Sequence, residues 1–391
     1  MFSSRLPHNL SPNRIALALG RIRPFIDLTE SNPTRAGFAY PSGLLATLTL
    51  EQGLTYEPAP LGLPAAREAV AADFGRRRVS ISTDRVVITA STSEAYSLLF
   101  KLLCDPGDSV LVPRPSYPLF EHLTHLDGVD VAPYDLEYHG RWQISLDSMA
   151  RAIAPGTRAV LLVSPHNPTG SMATADELAA IGDLCRVREL ALIGDEVFAD
   201  YPIEEDRPAP PSVLAQPKAL TFGLGGLSKT VGLPQVKLGW MALAGPDDLV
   251  RAALQRLEVI CDAYLSVSTP VQLAASQLLR EGAAVREQIA VRIRTNHRHL
   301  CEAVRPHPAC TLLAAEAGWY AVIQVPATIG EEPLVLDLLE RCAVLVHPGY
   351  FFDFSREAFL VVSLLPTVDE FRRGIERVFS RLEELGGDHS S

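Results

Sequence analysis

From about Pro64 to Leu243, short β-branched or apolar runs alternate with stretches whose apolar residues recur at three and four. That alternation restricts the chain to repeated strand-helix units around a mostly parallel sheet covered by helices, an α/β architecture. Strands are predicted at 86–89, 109–112, 159–163, 190–193, 220–223 and 238–243, with one-sided helices at 92–103 and 175–188 between them. After Gly245 the pattern is helical through Arg305, with one long helix from Glu281 onward. The style then changes. Apolar runs at 319–325, 344–346 and 359–365 alternate with helices at 333–342 and 368–385, which predicts a smaller α/β unit.

A chain of 391 residues is long for one core and predicts two or three structural units. The expected division is a large domain over 45–275 and a small domain built from 1–44 and 276–391. Proline and glycine are dispersed. The densest stretch, 207–212 (RPAPPS), reads as a surface loop, and the polar tail 386–391 as a frayed end.

Hydrophobic residues at 47% and charged residues at 21% allow a substantial core without lipid or a metal staple. The net charge of -11 comes from acidic residues spread along the chain, and the one basic run is Arg76-Arg77-Arg78. Nucleic acid is therefore not an expected partner. The triplet follows an amphipathic stretch, where cations suit a helix C-terminus. The six cysteines have no C-x-x-C pair and no zinc-like histidine spacing, so they are expected to be reduced thiols, and no metal is expected. No apolar signal region opens the sequence, and no apolar run approaches the roughly 18–20 residues that span a bilayer. A cytoplasmic protein that makes no membrane contact is the expectation.

Three segments carry candidate chemistry. Gly223-Leu-Gly-Gly-Leu-Ser-Lys-Thr-Val-Gly-Leu (223–233) puts Lys229 in a small-residue turn directly after an apolar strand. An amine there is reachable, forms an imine with an aldehyde, and loses basicity when desolvated. Ile193-Gly-Asp-Glu-Val-Phe (193–198) ends an apolar strand in Asp195 and Glu196, where α/β sheets present groups to ligands. Ile88-Thr-Ala-Ser-Thr-Ser-Glu-Ala (88–95) joins a strand to a helix through hydroxyl residues, a setting suited to phosphate. In isolation each has a plain alternative: a surface lysine, a helix cap at Asp195, and a Ser/Thr cap.

Taken together with Ser164-Pro-His-Asn-Pro-Thr-Gly (164–170), and in this order and spacing, the sequence resembles fold-type I pyridoxal-5′-phosphate (PLP) enzymes of the class I/II aminotransferase family. The resemblance also takes in Glu30-Ser-Asn-Pro-Thr (30–34), Tyr56 with Gly62, Pro115-Ser-Tyr-Pro (115–118), Leu238-Gly-Trp (238–240) and His347-Pro-Gly (347–349), and so covers nearly the whole chain. It implies that Lys229 holds PLP as a Schiff base and moves the proton at the donor's α-carbon. It also implies that Asp195 pairs with the ring nitrogen, that Asn167 donates to the 3′-oxygen, and that Tyr117 stacks on the ring. Ser91, Thr92 and Ser93 would hold the phosphate, with Tyr56 reaching it from the second subunit of a homodimer. The partners implied are a small-molecule amino donor, amino acid or amine, and a 2-oxo acid acceptor.

Several positions depart from the family pattern. The usual arginine eight residues after the lysine is Lys237, which keeps the charge but loses the two-pronged grip. The tyrosine three residues after the aspartate is Phe198, and the hydroxyl residue three before the lysine is Gly226. The arginine that holds a donor's α-carboxylate, two residues before a serine in the last small-domain strand, is replaced by Val361, or by Val362 if the alignment slips by one; Arg356 lies in the preceding loop. Arg35, just past Asn32, is the candidate substitute, and Asn32 and Arg35 are the expected substrate contacts. The alternatives to an aminotransferase are a PLP-dependent lyase or decarboxylase of the same fold, or a non-enzymatic PLP-binding protein. The last is disfavoured by the absence of room for a DNA-binding domain.

Overall fold

The computed structural model describes residues 2–7, 9–206 and 210–387. Residues 207–209 of the expected loop and 388–391 of the expected frayed tail lie outside them. Among the described residues the largest sheet has eight strands, in the order Val86–Thr89, Gly239–Ala244, Thr221–Gly226, Ala191–Asp195, Thr157–Val163, Ser109–Arg114, Asp130–Tyr138 and Trp142–Ile144. The four pairings from Thr221–Gly226 to Asp130–Tyr138 are parallel; the remaining three are antiparallel.

Ala191–Asp195, Thr221–Gly226 and Gly239–Ala244 are buried at every position. This is why they read as continuous apolar runs: both faces of the sheet are covered. Alternate residues enter separate cores. Val160, Leu162 and Leu192 pack with Ile181, Cys185 and Leu278 on one face, while Leu161, Val163 and Ile193 pack with Leu99, Phe100 and Leu257 on the other. The helices Thr92–Leu103 and Ala175–Arg188 have the expected bounds. The strand Asp130–Tyr138 was not expected. On its outer side residues 130–135 have no strand partner among the described residues, because Trp142–Ile144 pairs only with Leu136, Glu137 and Tyr138. Its proline and acidic residues suit such an edge and hide the strand pattern.

A second sheet, of antiparallel strands, is ordered Thr311–Leu312, Tyr320–Gln324, Phe359–Ser363, His347–Pro348. The N-terminal strand Ile26–Asp27 pairs in parallel with Val344–Leu345, and Ser363 donates its amide to the Leu28 carbonyl at 2.7 Å. The N-terminal segment thus joins the C-terminal unit. The long helix runs Ala283–Val304, separated from Thr269–Glu281 by Gly282. A β-carbon at Gly282 would lie 2.6 Å from Val231 Cβ, so the chain passes closely behind the lysine turn there. Among the described residues no helix is long and apolar enough to cross a membrane.

Candidate active site

The parallel strands converge at their C-terminal ends, where α/β sheets expose their loops. Asp195 is the last residue of its strand, and the short helix Leu227–Thr230, containing Lys229, follows Thr221–Gly226. The loop carrying Asn167 follows Thr157–Val163, and Tyr117 follows Ser109–Arg114. Val86–Thr89 runs in the same direction after two antiparallel steps, and so delivers Ser91 to the same edge.

Glycines permit this convergence. A β-carbon on Gly239 would sit 2.8 Å from the Ser91 carbonyl carbon, so the adjacent strand crosses directly against the hydroxyl turn. A β-carbon on Gly226 would stand 3.2 Å from both Gly239 Cα and the Leu238 carbonyl oxygen. This close approach leaves little room for a side chain three positions before the lysine.

Lys229 is half-buried, its Nζ 4.6 Å from the Trp319 ring centre and 5.7 Å from that of Phe198, with no hydrogen bond to Nζ among the described residues. Burial lowers its pKa to about 8, against the opposing pull of the Asp195 charge. The Tyr201 hydroxyl donates to the Lys229 carbonyl and fixes the turn. Tyr201 and Phe198 both meet Trp319 edge-on, at 5.2 and 5.3 Å between ring centres. Phe198 is therefore part of an aromatic wall beside the amine.

Asp195 is 7% exposed and caps no helix; its Oδ1 accepts from the Val197 amide at 3.1 Å and its Oδ2 from the Tyr96 hydroxyl at 2.8 Å. Burial raises its pKa, and the two hydrogen bonds oppose that. The neighbouring Glu196 is committed elsewhere. It is buried, and accepts from Arg77 at 2.7 Å, the Ser212 hydroxyl at 3.0 Å and the Val213 amide at 2.7 Å. The Arg76-Arg77-Arg78 run therefore does end a helix, Pro64–Arg76, but Arg77 also neutralises a buried carboxylate.

Asn167 is buried, and its Oδ1 has no hydrogen-bond partner among the described residues. Ser91 caps the helix Thr92–Leu103 by accepting from the Glu94 amide at 3.1 Å, as the plain reading had it. Its proton remains free to be donated. The Thr92 and Ser93 side chains, half-buried, make no hydrogen bond among the described residues. Lys237 is exposed, with φ of 59°, at the end of the turn Pro234–Val236. Tyr117 is 42% exposed and meets Phe120 edge-on.

The remaining expected residues stand apart from this cluster. Tyr56 is 68% exposed and lines a depression with Pro58, Ile88, Tyr264 and Thr269. Asn32 Oδ1 accepts from the Thr34 amide and hydroxyl, closing a turn. Arg35 has a side chain 75% exposed, with Nε 3.6 Å from Glu30 Oε2. Val361 and Val362 are fully buried between the strands Tyr320–Gln324 and His347–Pro348. Ser363 donates its hydroxyl to the Glu30 carbonyl at 2.6 Å, which ties the 30–35 turn to that strand. Tyr96, Tyr201 and Trp319 belong to the site without being singled out by the sequence. Tyr96 lies one helical turn after Ser93, and that spacing was its only signal.

A buried amide whose oxygen lacks a partner, a buried carboxylate with lone pairs to spare, an amine of lowered basicity and free hydroxyls at a helix start match an aldehyde-bearing phosphorylated pyridine. The comparisons agree. The family model for aminotransferase class I and II matches residues 24–378. The chain is 26% identical over 375 residues to glutamate-pyruvate aminotransferase AlaA of Escherichia coli K12, covering 93% of this chain and 91% of that protein. It is 25% identical over 366 residues to the alanine aminotransferase of Mycobacterium tuberculosis, covering 90% and 84%. In structure it is similar to an Escherichia coli aminotransferase, with a TM-score of 0.87, 24% identity and 98% of each chain covered. It is also similar to the alanine aminotransferase of Pyrococcus furiosus, with a TM-score of 0.84, 24% identity and 92% of each chain covered.

Proposed function

The chain belongs to the aminotransferase class I and II family, and from that premise we propose that it moves an amino group from an amino acid or amine to a 2-oxo acid, with Lys229 as the covalent anchor of PLP. PLP is the cofactor of this family, and when bound it supplies an electron sink at the donor's α-carbon. The observation that carries the reading is the placement of half-buried Lys229 and buried Asp195 just past and at the C-terminal ends of two adjacent parallel strands, where each charge acts on the other's proton affinity.

Lys229, its pKa lowered to about 8, gains a neutral amine as pH rises through that value, fit both to attach the cofactor and to take and return a proton at Nζ. The rings of Trp319 and Phe198, 4.6 and 5.7 Å from that nitrogen, give it an apolar flank. Asp195 would keep a proton on the ring nitrogen of bound PLP, Asn167 would donate to its 3′-oxygen, and Tyr117 would cover the ring. Phe198 adds no hydrogen bond there. Ser91, Thr92 and Ser93, with the helix amides behind them, would receive the phosphate, assisted by Lys237.

The donor's carboxylate falls to Arg35, aided by Asn32. Among the described residues the Arg35 side chain meets one carboxylate, that of Glu30 at 3.6 Å, and can turn to a new anion at little cost. Val361 supports a second reading, in which the donor has no α-carboxylate. Mixing the holoprotein with amino acids and with simple amines, and following conversion of PLP to pyridoxamine phosphate by absorbance, tests both. Conversion by amino acids supports the first reading and conversion by amines alone the second. Loss of CO₂ or ammonia without pyridoxamine phosphate contradicts a transferase.

Further proposals concern assembly and place. A homodimer in which Tyr56 completes the phosphate site of the partner is supported by the exposed apolar group Leu54, Tyr56 and Tyr264. A cytoplasmic location is supported by six unpaired cysteines. A large PLP-binding domain over 45–275 and a small one over 1–44 and 276–391 is supported by the separation of the two sheets. The helix Thr269–Glu281 crosses that join.

A further inference from the structure

We infer that Tyr96 is a positioning residue for the cofactor: its hydroxyl fixes the Asp195 carboxylate and ties the ring-nitrogen partner to the phosphate cradle through a single helix. The inference rests on the reading of Asp195 as the ring-nitrogen partner. Tyr96 is 2% exposed and Asp195 7%, and their hydrogen bond is 2.8 Å long. A phenol donating to a carboxylate within a protein interior is a strong contact, and its loss leaves a buried anion short of a partner. With Val197 on one oxygen and Tyr96 on the other, the carboxylate cannot rotate, and each oxygen still has a lone pair for a ring N–H.

The tyrosine itself is immobile. Its ring meets Phe120 edge-on at 5.2 Å and lies near Phe100 at 6.1 Å. It is the fifth residue of Thr92–Leu103, whose first turn offers Thr92 and Ser93. One rigid helix thereby sets the distance between the phosphate site and the ring-nitrogen site. The other ionisable groups bearing on the Tyr96–Asp195 pair are Glu196 beside Asp195, Lys229 in the turn and Tyr134 from the edge strand. Glu196 is already neutralised by Arg77. The Tyr96 hydroxyl is therefore the one group on the phosphate-binding helix that both touches Asp195 and favours its charged form.

The test is a double-mutant cycle read by equilibrium PLP binding to the apoprotein, through quenching of tryptophan fluorescence. Tyr96→Phe removes one oxygen and keeps the ring, and its expected effect is PLP binding weakened roughly tenfold or more. In the Asp195→Asn background the same change is expected to weaken binding less than twofold. Equal weakening in both backgrounds would reduce Tyr96 to packing and overturn the inference, as would no weakening at all. Asp195→Asn with unchanged affinity would instead overturn the role of Asp195. A second readout avoids the cofactor altogether. In ¹³C-aspartate-labelled apoprotein the Asp195 carboxyl is expected to titrate at higher pH in Tyr96→Phe than in the parent, and an identical titration would contradict the hydrogen bond's role.

Discussion

The groups assigned to the cofactor and the groups assigned to the substrate are built on different principles. Asp195, Lys229, Asn167 and Ser91 sit at or just past the ends of buried strands, and Asp195 is held by two hydrogen bonds. In the turn at 30–35, by contrast, Arg35 is three-quarters exposed and touches one carboxylate at 3.6 Å. On the roles proposed, chemistry common to every donor is placed where geometry is rigid. On the same proposal, choice of donor is left to an exposed side chain, which can be replaced at little cost to the buried strands.

The contrast breaks most sharply at Lys229. Lys229→Ala removes both the anchor and the proton carrier, and turnover is expected to fall at least 10²–10⁴-fold on the order of general acid-base losses. Steady-state rates with a good donor check this, and retention of more than a few percent of activity would assign the role to another lysine. Asp195→Asn keeps the shape but not the charge. PLP affinity is expected to fall roughly 10- to 100-fold, the worth of a hydrogen bond to a charged group, in a direct titration of the apoprotein.

The pH dependence sharpens the same side. Burial holds Lys229 at about 8, and only the neutral amine attaches PLP. Capture of PLP by the apoprotein is expected to rise as pH increases through about 8 and then level. The Asp195 charge opposes proton loss from Lys229, so in Asp195→Asn the midpoint should move to lower pH. A stopped-flow pH profile of both proteins reads this shift, and a midpoint that stays in place would deny the coupling.

The smallest effect belongs to the exposed turn. Arg35→Ala is expected to raise KM about tenfold for donors with a carboxylate and to leave amines unchanged. Because the side chain is exposed, the difference should shrink in added salt. Equal, small effects on both donor classes would leave Arg35 a solvated loop residue paired with Glu30.

Legibility followed the same division. The strands ending in Asp195 and preceding Lys229 are buried on both faces, so their apolar runs announced them and the polar residue at each end stood out. Ser91 was readable because strand, hydroxyl turn and helix are contiguous. Tyr96 was not, since its partner lies 99 residues away and a tyrosine in an amphipathic helix reads as core. Trp319 was hidden likewise inside an apolar strand run, and only tertiary packing brings it to 4.6 Å from Lys229. The edge strand Asp130–Tyr138 escaped because its exposed margin carries proline and acidic residues rather than an alternating pattern.

The most direct test of Lys229 as anchor is chemical. Reduction of the PLP-loaded protein with borohydride, followed by digestion and mass spectrometry, is expected to yield one phosphopyridoxyl peptide, the one containing Lys229, and none from Lys229→Ala. A label carried instead by Lys218 or Lys237, or a wild-type protein that takes up PLP without covalent labelling, would contradict it.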